Sequence, residues 1–217
     1  MAGILITLEG GEGSGKSTQA EALYQRLLLE GNMALLVHEP GGTPVGERVR
    51  GLLKTQHDEE PTRQSAGESI TPVAELLLFC AARAQLVDTV LRPALEEGRV
   101  VVCDRYTAST VAYQGYGRGL PLEDVERANL LATGGLKPDL VLLLDIPWET
   151  GMGRVEGRGD GEGRRFEEEP AWFHGRVRDG YIVQAKADPE RWLVVDGILP
   201  QEQVEEIIWR RVEPLVK

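Results

Sequence analysis

Five short apolar runs alternate with helical patterns along the chain, and a glycine-rich loop joins the first run to the first helix. These two observations predict an α/β fold, a doubly wound five-stranded parallel sheet with right-handed crossovers. A third observation, a glycine- and arginine-rich stretch at about 153–166, predicts a short arginine-rich lid on a single domain spanning 1–217.

The first run is Ile4 to Glu9, and the loop after it is Gly10-Gly11-Glu12-Gly13-Ser14-Gly15-Lys16-Ser17-Thr18. It fits G-x-x-x-x-G-K-[ST], the phosphate-cradling P-loop, and it sits between a strand and a helix as that motif requires. Glycines let successive backbone N–H groups turn inward toward phosphate oxygens, and the helix N-terminus adds partial positive charge. Lys16 is placed to reach the β- and γ-phosphates of a nucleotide, and the Ser17 hydroxyl to hold Mg²⁺, which leaves GTPases, transport ATPases and small-molecule kinases open. The fold is thus of the P-loop NTPase type.

The helix from Ser17 to about Leu29 has Ala20, Leu23 and Leu27 on one face, and Gly31-Asn32 ends it. Ala34 to His38 is the second strand. Glu39-Pro40-Gly41-Gly42-Thr43-Pro44 follows at its carboxyl end, where ligands sit in open parallel sheets, so it is either a substrate loop or an ordinary turn. A short helix covers Gly46 to Leu53, and 54–69 reads as a polar surface loop. From Val73 to Glu97 a long helical pattern places Ala74, Leu77, Leu78 and Ala81, then Val87, Val90 and Leu91, at helical spacing. Pro93 is expected to kink or split it. Phe79 and Arg83 lie one turn apart, as a base platform with a polar reader or as a core Phe with a surface Arg; spacing alone favours the second.

Arg99 to Asp104 is the third strand, nearly continuous in apolar residues. Asp104-Arg105-Tyr106 at its end would face the phosphates. Asp104 is expected near Mg²⁺, directly or through water, and Arg105 on a second phosphate; the alternative is a local ion pair capping the strand. The run Thr107 to Gly117, with Ser109, Thr110, Tyr113 and Gln114, suits a sugar or base pocket more than a core helix. A helix follows over Leu122–Leu131 with Leu122, Val125 and Ala128 inward. Asp139–Asp145 and Trp192–Asp196 are the last two strands, and the final helix, Pro200 to Val212, buries Val204, Ile207, Ile208 and Val212. Between those strands, Arg154 to Phe166 alternates glycine with charge, composed as either a mobile lid closing over a triphosphate or a solvated loop. Phe173, Val177 and Tyr181 mark the helix that returns to the sheet.

Composition narrows the classes. The net charge of -11 lacks the broad basic field that nucleic-acid or membrane-surface binding needs. Cys80 and Cys103 lie in apolar segments and read as reduced thiols of a cytoplasmic protein. No apolar run reaches transmembrane length, no export signal opens the chain, and the three histidines show no metal-ligand spacing. No Asn-Lys-x-Asp guanine-reading tetrad is present. Candidate phosphate groups away from the P-loop, Arg105 with Arg83, mean a donor and an acceptor, hence a kinase.

Those residues carry a resemblance over nearly the whole chain. Glu9-Gly10 with Gly15-Lys16-Ser17-Thr18, Glu39-Pro40-Gly41-Gly42-Thr43, Leu77-Leu78-Phe79 with Arg83, Asp104-Arg105-Tyr106, Ala112-Tyr113-Gln114-Gly115 and Arg176 to Tyr181 together resemble the bacterial thymidylate kinases. The resemblance implies ATP-dependent phosphorylation of dTMP to dTDP, with Mg²⁺, in a cytoplasmic homodimer. It implies that Phe79 stacks on thymine, Arg83 reads its edge, and Arg105 holds the acceptor phosphate. Thr110, Tyr113 and Gln114, with Ser109, line the nucleoside pocket. Glu12, Glu39 and Pro40 lie near the acceptor nucleotide. With no arginine in the P-loop, the lid arginines Arg158, Arg164 and Arg165 are expected at the transferring phosphate. Two rivals stay open: a kinase for dUMP, CMP or thymidine, and a non-catalytic nucleotide-binding ATPase module.

Overall fold

The computed structural model describes residues 3–54, 70–157 and 165–217. Strands β1 (Ile4–Glu9), β2 (Ala34–His38), β3 (Val100–Asp104), β4 (Leu140–Asp145) and β5 (Trp192–Asp196) form one parallel sheet in the order β2-β3-β1-β4-β5. β1 pairs with β3 so that Leu8 lies opposite Asp104, and with β4 so that Glu9 lies opposite Leu143. The loops after β1 and β3 therefore leave the sheet side by side, which brings the P-loop and Asp104-Arg105 together. Alternating strand residues feed two layers. Ile6, Leu8, Val102 and Leu142 pack with Leu23 and Leu27 of α1 (Lys16–Leu29) and Ile208 and Val212 of α9 (Gln201–Val216). Leu5, Val101 and Cys103 face the opposite side, against Leu86, Val87 and Leu91.

α1 ends as its sequence predicts. Gly31 adopts φ 83°. The N–H of Asn32 donates to Leu27 O at 2.9 Å and that of Gly31 to Leu28 O at 3.0 Å, satisfying carbonyls the last turn leaves free. α2 spans Pro44–Lys54 and α3 Pro72–Leu86, with Thr71 Oγ1 capping the Ala74 N–H. The long pattern after Val73 widens into a π-helical stretch at Val87–Leu91 before α4 (Arg92–Glu96). A wide turn suits a helix about to meet Pro93, which has no N–H to continue the ladder.

The apolar face expected on α3 is turned outward. Ala74, Leu77 and Ala81 are exposed, and the inward face carries Glu75, Leu76, Ala82 and Arg83. The inner side of this helix is thus partly given to charged groups that the site uses, and hydrophobic spacing misreads it. Thr107–Gly117 is helical after all, as α5 (Thr107–Thr110) and a π-helical stretch (Val111–Gly117). Such wide turns are frequent at functional sites. In α6 (Leu122–Thr133) Val125 is buried as expected, but Leu122, at the first helical position, is 39% exposed.

Helix α7 (Trp148–Glu156) was not legible, because two glycines within it depress helix propensity. Gly151 has a tertiary reason: a Cβ there would sit 2.2 Å from Glu12 O, and one on Gly13 (φ 67°) would sit 2.1 Å from Gly151 O. α7 thus packs backbone to backbone on the P-loop, so the first part of the expected lid, Gly153 to Glu156, is helix end. α8 (Ala171–Ala187) buries Phe173, Val177 and Tyr181, and α9 runs past Val212 to Val216 with Pro214 inside it. The expected loop at 55–69 and the lid residues 158–164, Arg158 and Arg164 included, lie outside the described residues.

Candidate active site

The P-loop leaves β1 beneath α7 and enters α1 through Gly15 at φ 95°. Lys16 Nζ donates to Gly11 O at 2.7 Å and to Ser14 Oγ at 3.3 Å, folded back over the loop. Burial, then the Arg105 charge, hold its ammonium down to about 8. Beside it Ser17 Oγ donates to Asp104 Oδ2 at 2.5 Å, and Asp104 Oδ1 is buried with no protein partner. A hydroxyl and a carboxylate with a spare buried acceptor form the kind of oxygen-donor pair that suits Mg²⁺ sharing its shell with phosphates. The described residues hold no cluster of three His, Cys, Asp or Glu.

Arg105 is the hub of the second half. It adopts φ 72°, a left-handed conformation rare for a side-chain-bearing residue, in the tight turn off β3. Nη1 donates to Gly10 O at 3.1 Å, Ser109 Oγ at 3.2 Å and Tyr181 Oη at 3.3 Å. Nη2 donates to Glu12 Oε1 at 2.8 Å and Tyr113 Oη at 3.3 Å. Burial would raise the Glu12 carboxyl, but Arg105, Lys16 and the Tyr113 hydroxyl outweigh it and hold it at about 2. Glu12 is therefore a fixed negative charge that keeps the guanidinium in place.

Three of the larger cavities lie around these groups. The first, about 520 Å³, is floored by Gly13, Gly15, Lys16, Ser17 and Asp104. The second, about 240 Å³, is lined by Glu12, Glu39, Pro40, Phe79, Arg83, Arg105, Ser109, Thr110, Tyr113 and Gln114. These are the residues the sequence marks for an acceptor nucleotide, and the fold collects them on one wall. Glu12, Glu39, Arg50, Arg105 and Glu167 line both cavities. A third cavity of about 240 Å³ lies across the P-loop between Gly13–Gly15, Arg154, Gly197 and Gln201, where Arg154 Nη1 donates to Gly197 O at 3.0 Å. Neither that cavity nor Arg50 was marked by any motif.

Residues 8–208 match the family model for thymidylate kinase. The chain is 48% identical to the thymidylate kinase of Dehalococcoides mccartyi (strain 195) over 214 residues, covering 99% of this chain and 98% of the relative. It is 46% identical to that of Geobacter sp. (strain M21), over 99% of this chain and 95% of the relative. The crystal structure of thymidylate kinase from Ehrlichia chaffeensis superposes with a TM-score of 0.75 at 29% identity, covering 98% of this chain and 99% of that one. The chain belongs to the thymidylate kinase family. It is a nucleoside monophosphate kinase, and its reaction is the ATP-dependent phosphorylation of dTMP to dTDP.

Within this kinase two expected residues stand differently from the reading of the sequence. Arg83 is no surface arginine. It is 1% exposed, and it donates four hydrogen bonds within the protein, to Glu39 Oε2, Thr110 Oγ1, Asn129 Oδ1 and Tyr106 O, with Nη2 also ion-paired to Glu39 Oε2 at 2.6 Å. It braces the wall of the second cavity. Arg165, expected with the lid arginines at the transferring phosphate, is bonded instead to buried Glu75 at 2.6 Å.

Glu9 was read as the last strand residue and as part of the family motif, with no role assigned to it. It is fully buried, accepting from Tyr106 N at 2.9 Å, Ser109 Oγ at 2.6 Å and Tyr181 Oη at 3.3 Å. Two of those donors also hold Arg105. Desolvation outweighs the hydrogen bonds and raises its carboxyl from 4.5 to about 7. Its folded pKa exceeds its unfolded value, so its contribution to stability is full below 4.5 and lost as pH rises through 7. Urea unfolding of wild type against Glu9→Gln should show wild type losing about 3 kcal/mol relative to the variant between those limits. A difference that stays flat with pH would refute this.

Proposed function

We propose that the chain acts as a single kinase domain that binds Mg-ATP on the P-loop and dTMP in the second cavity, and moves the γ-phosphoryl group between them. The observation that carries this is the shared wall. One cavity is built for phosphates, its neighbour has an aromatic and amide lining suited to a nucleoside, and Arg105 and Glu12 stand between them. A nucleotide-binding module that transfers nothing has no use for the second cavity.

In this reading an oxygen of the dTMP phosphate attacks the γ-phosphorus while the bond to the β-phosphate oxygen breaks, leaving ADP and dTDP. The acceptor is already anionic near neutral pH, so no strong base is required. The obstacle is charge repulsion, since unit charges at about 4 Å cost about 4 kcal/mol at an effective dielectric of 20. Lys16 leaves its loop contacts for the β- and γ-oxygens, and Arg105 holds the acceptor phosphate. Ser17 and Asp104 would hold Mg²⁺, which would supply positive charge to offset that of the phosphates. Phe79 offers a face for the base, Tyr113 and Gln114 the sugar and base contacts, and Arg158 or Arg164 a cation from the lid. The third cavity is the seat for the donor's base and ribose.

We also propose a homodimer in the cytoplasm. The outward apolar residues of α3, Val73 at 55% and Leu77 at 58% exposed, lie on a helix that packs against α6, where Leu130 and Leu131 are 61% and 87% exposed. Two buried free thiols suit a reducing compartment, and among the described residues no helix is long and apolar enough to cross a membrane. Light scattering should give the mass of two chains; a single-chain mass at micromolar concentration would overturn the dimer.

The deciding assay is coupled ADP release with Mg-ATP and dTMP, dUMP, UMP, CMP, AMP, GMP or thymidine as acceptor. Strong preference for dTMP is expected. Another preferred acceptor would reassign the pocket, and ATP binding with no transfer would overturn the reading.

A further inference from the structure

Glu75 lies on the inner face of α3, fully buried, and lines neither substrate cavity. Four donors converge on it. Oε1 accepts from Gln114 Nε2 at 2.8 Å and Arg118 Nε at 3.1 Å, and Oε2 from Arg118 Nη2 at 3.1 Å and Arg165 Nη2 at 2.6 Å. Arg118 also pairs with Glu169 at 2.5 Å, so two carboxylates and two guanidinium groups balance in charge, as burial requires. Each partner leads to the acceptor cavity. Gln114 is on its wall. Arg165 precedes Phe166, whose ring lines the same cavity 6.0 Å from Phe79 and edge-on to Tyr113 at 5.6 Å. Arg165 and Arg118 both lie over that ring, at 5.4 and 5.6 Å.

We propose that Glu75 is the positioning residue for base recognition: it locks the Gln114 amide in one of its two orientations and, through Arg165 and Arg118, holds Phe166 over the acceptor cavity. A carboxylate only accepts, so Gln114 must turn its NH₂ toward Glu75. Turning the amide over would set two acceptors against each other in a buried place. What is left for the ligand is a fixed pair, the Oε1 acceptor and the second N–H. Arg83 already donates to Glu39, Thr110, Asn129 and Tyr106. Thymine presents N3–H beside the O4 acceptor, while cytosine presents the N3 acceptor beside the N4 amino group, the reverse order. A locked amide suits one order in a given register; a free one suits both. Glu75 thus sets a specificity it does not contact.

This rests on dTMP being the acceptor, so the test compares kcat/KM for dTMP and dCMP. Glu75→Gln supplies a group that both donates and accepts. Glu75→Asp keeps the buried charge but withdraws it by one methylene from Gln114. In both the dTMP-to-dCMP ratio should fall at least tenfold, with the KM for ATP within twofold of wild type. Glu75→Asp decides if the glutamine variant does not fold. Arg165→Gln should raise the KM for dTMP severalfold and leave the ratio intact, since Gln114 keeps its partner. A folded Glu75 variant with the wild-type ratio overturns the proposal. So does an Arg165→Gln enzyme whose ratio collapses equally, because general loosening would then explain both. A wild-type enzyme that does not prefer dTMP over dCMP would instead refute the choice of acceptor.

Discussion

Arg105→Ala is expected to lower kcat/KM for dTMP by about three orders of magnitude, with the KM for dTMP and kcat both affected. Among the described residues hydrogen-bonded to the Glu12 side chain, Arg105 supplies the positive charge. Its removal leaves the Glu12 carboxylate without its guanidinium partner, facing an incoming phosphate dianion. One uncompensated pair of charges at about 4 Å amounts to about 4 kcal/mol at an effective dielectric of 20, about a thousandfold. Glu9, Ser109, Tyr113 and Tyr181 are arranged around the guanidinium, and alanine would inherit the strained φ of 72° without it. Arg105→Gly is the control: it relieves the backbone, so it should restore stability and none of the activity. Steady-state kinetics with unchanged KM for dTMP and unchanged kcat would remove Arg105 from the acceptor phosphate.

Lys16→Ala should act mainly on turnover, lowering kcat by about 10²- to 10³-fold, the usual cost of removing one fixed charge from a developing one. Its hydrogen bonds to Gly11 O and Ser14 Oγ are within the P-loop, so the fold should survive. The same lysine sets a pH limit. Burial and Arg105 bring its ammonium down to about 8 in the free enzyme, whereas phosphate oxygens favour the protonated form. ATP binding above that pH therefore takes up a proton, and kcat/KM for ATP should fall about tenfold per unit above pH 8. The profile is to be measured with ATP subsaturating and the coupling enzymes in excess. A flat profile to pH 9.5, or near-normal kcat in the alanine variant, would separate Lys16 from the transferring phosphate.

The sequence by itself determined the five strands, their alternation with helices, the P-loop and the residues that come to line the second cavity. Each is written in neighbouring positions: apolar runs of strand length, G-x-x-x-x-G-K-[ST], Asp104-Arg105-Tyr106, Tyr113-Gln114. Parallel pairing then brings the ends of β1 and β3 together without further information, because ligands gather at the carboxyl edge of such a sheet. Tertiary structure alone decided the rest. Spacing on α3 favoured a surface Arg83; only Glu39, 44 residues away in sequence, makes its burial tolerable. Glycines in α7 read as helix breakers until the P-loop backbone arrives at Gly151. Arg165 looked like one more lid cation until it met Glu75, 90 residues distant. Local pattern reports what a segment prefers when its neighbours are apolar. It is silent where a charge is buried against a partner far along the chain, since that cost is met only when both ends have folded.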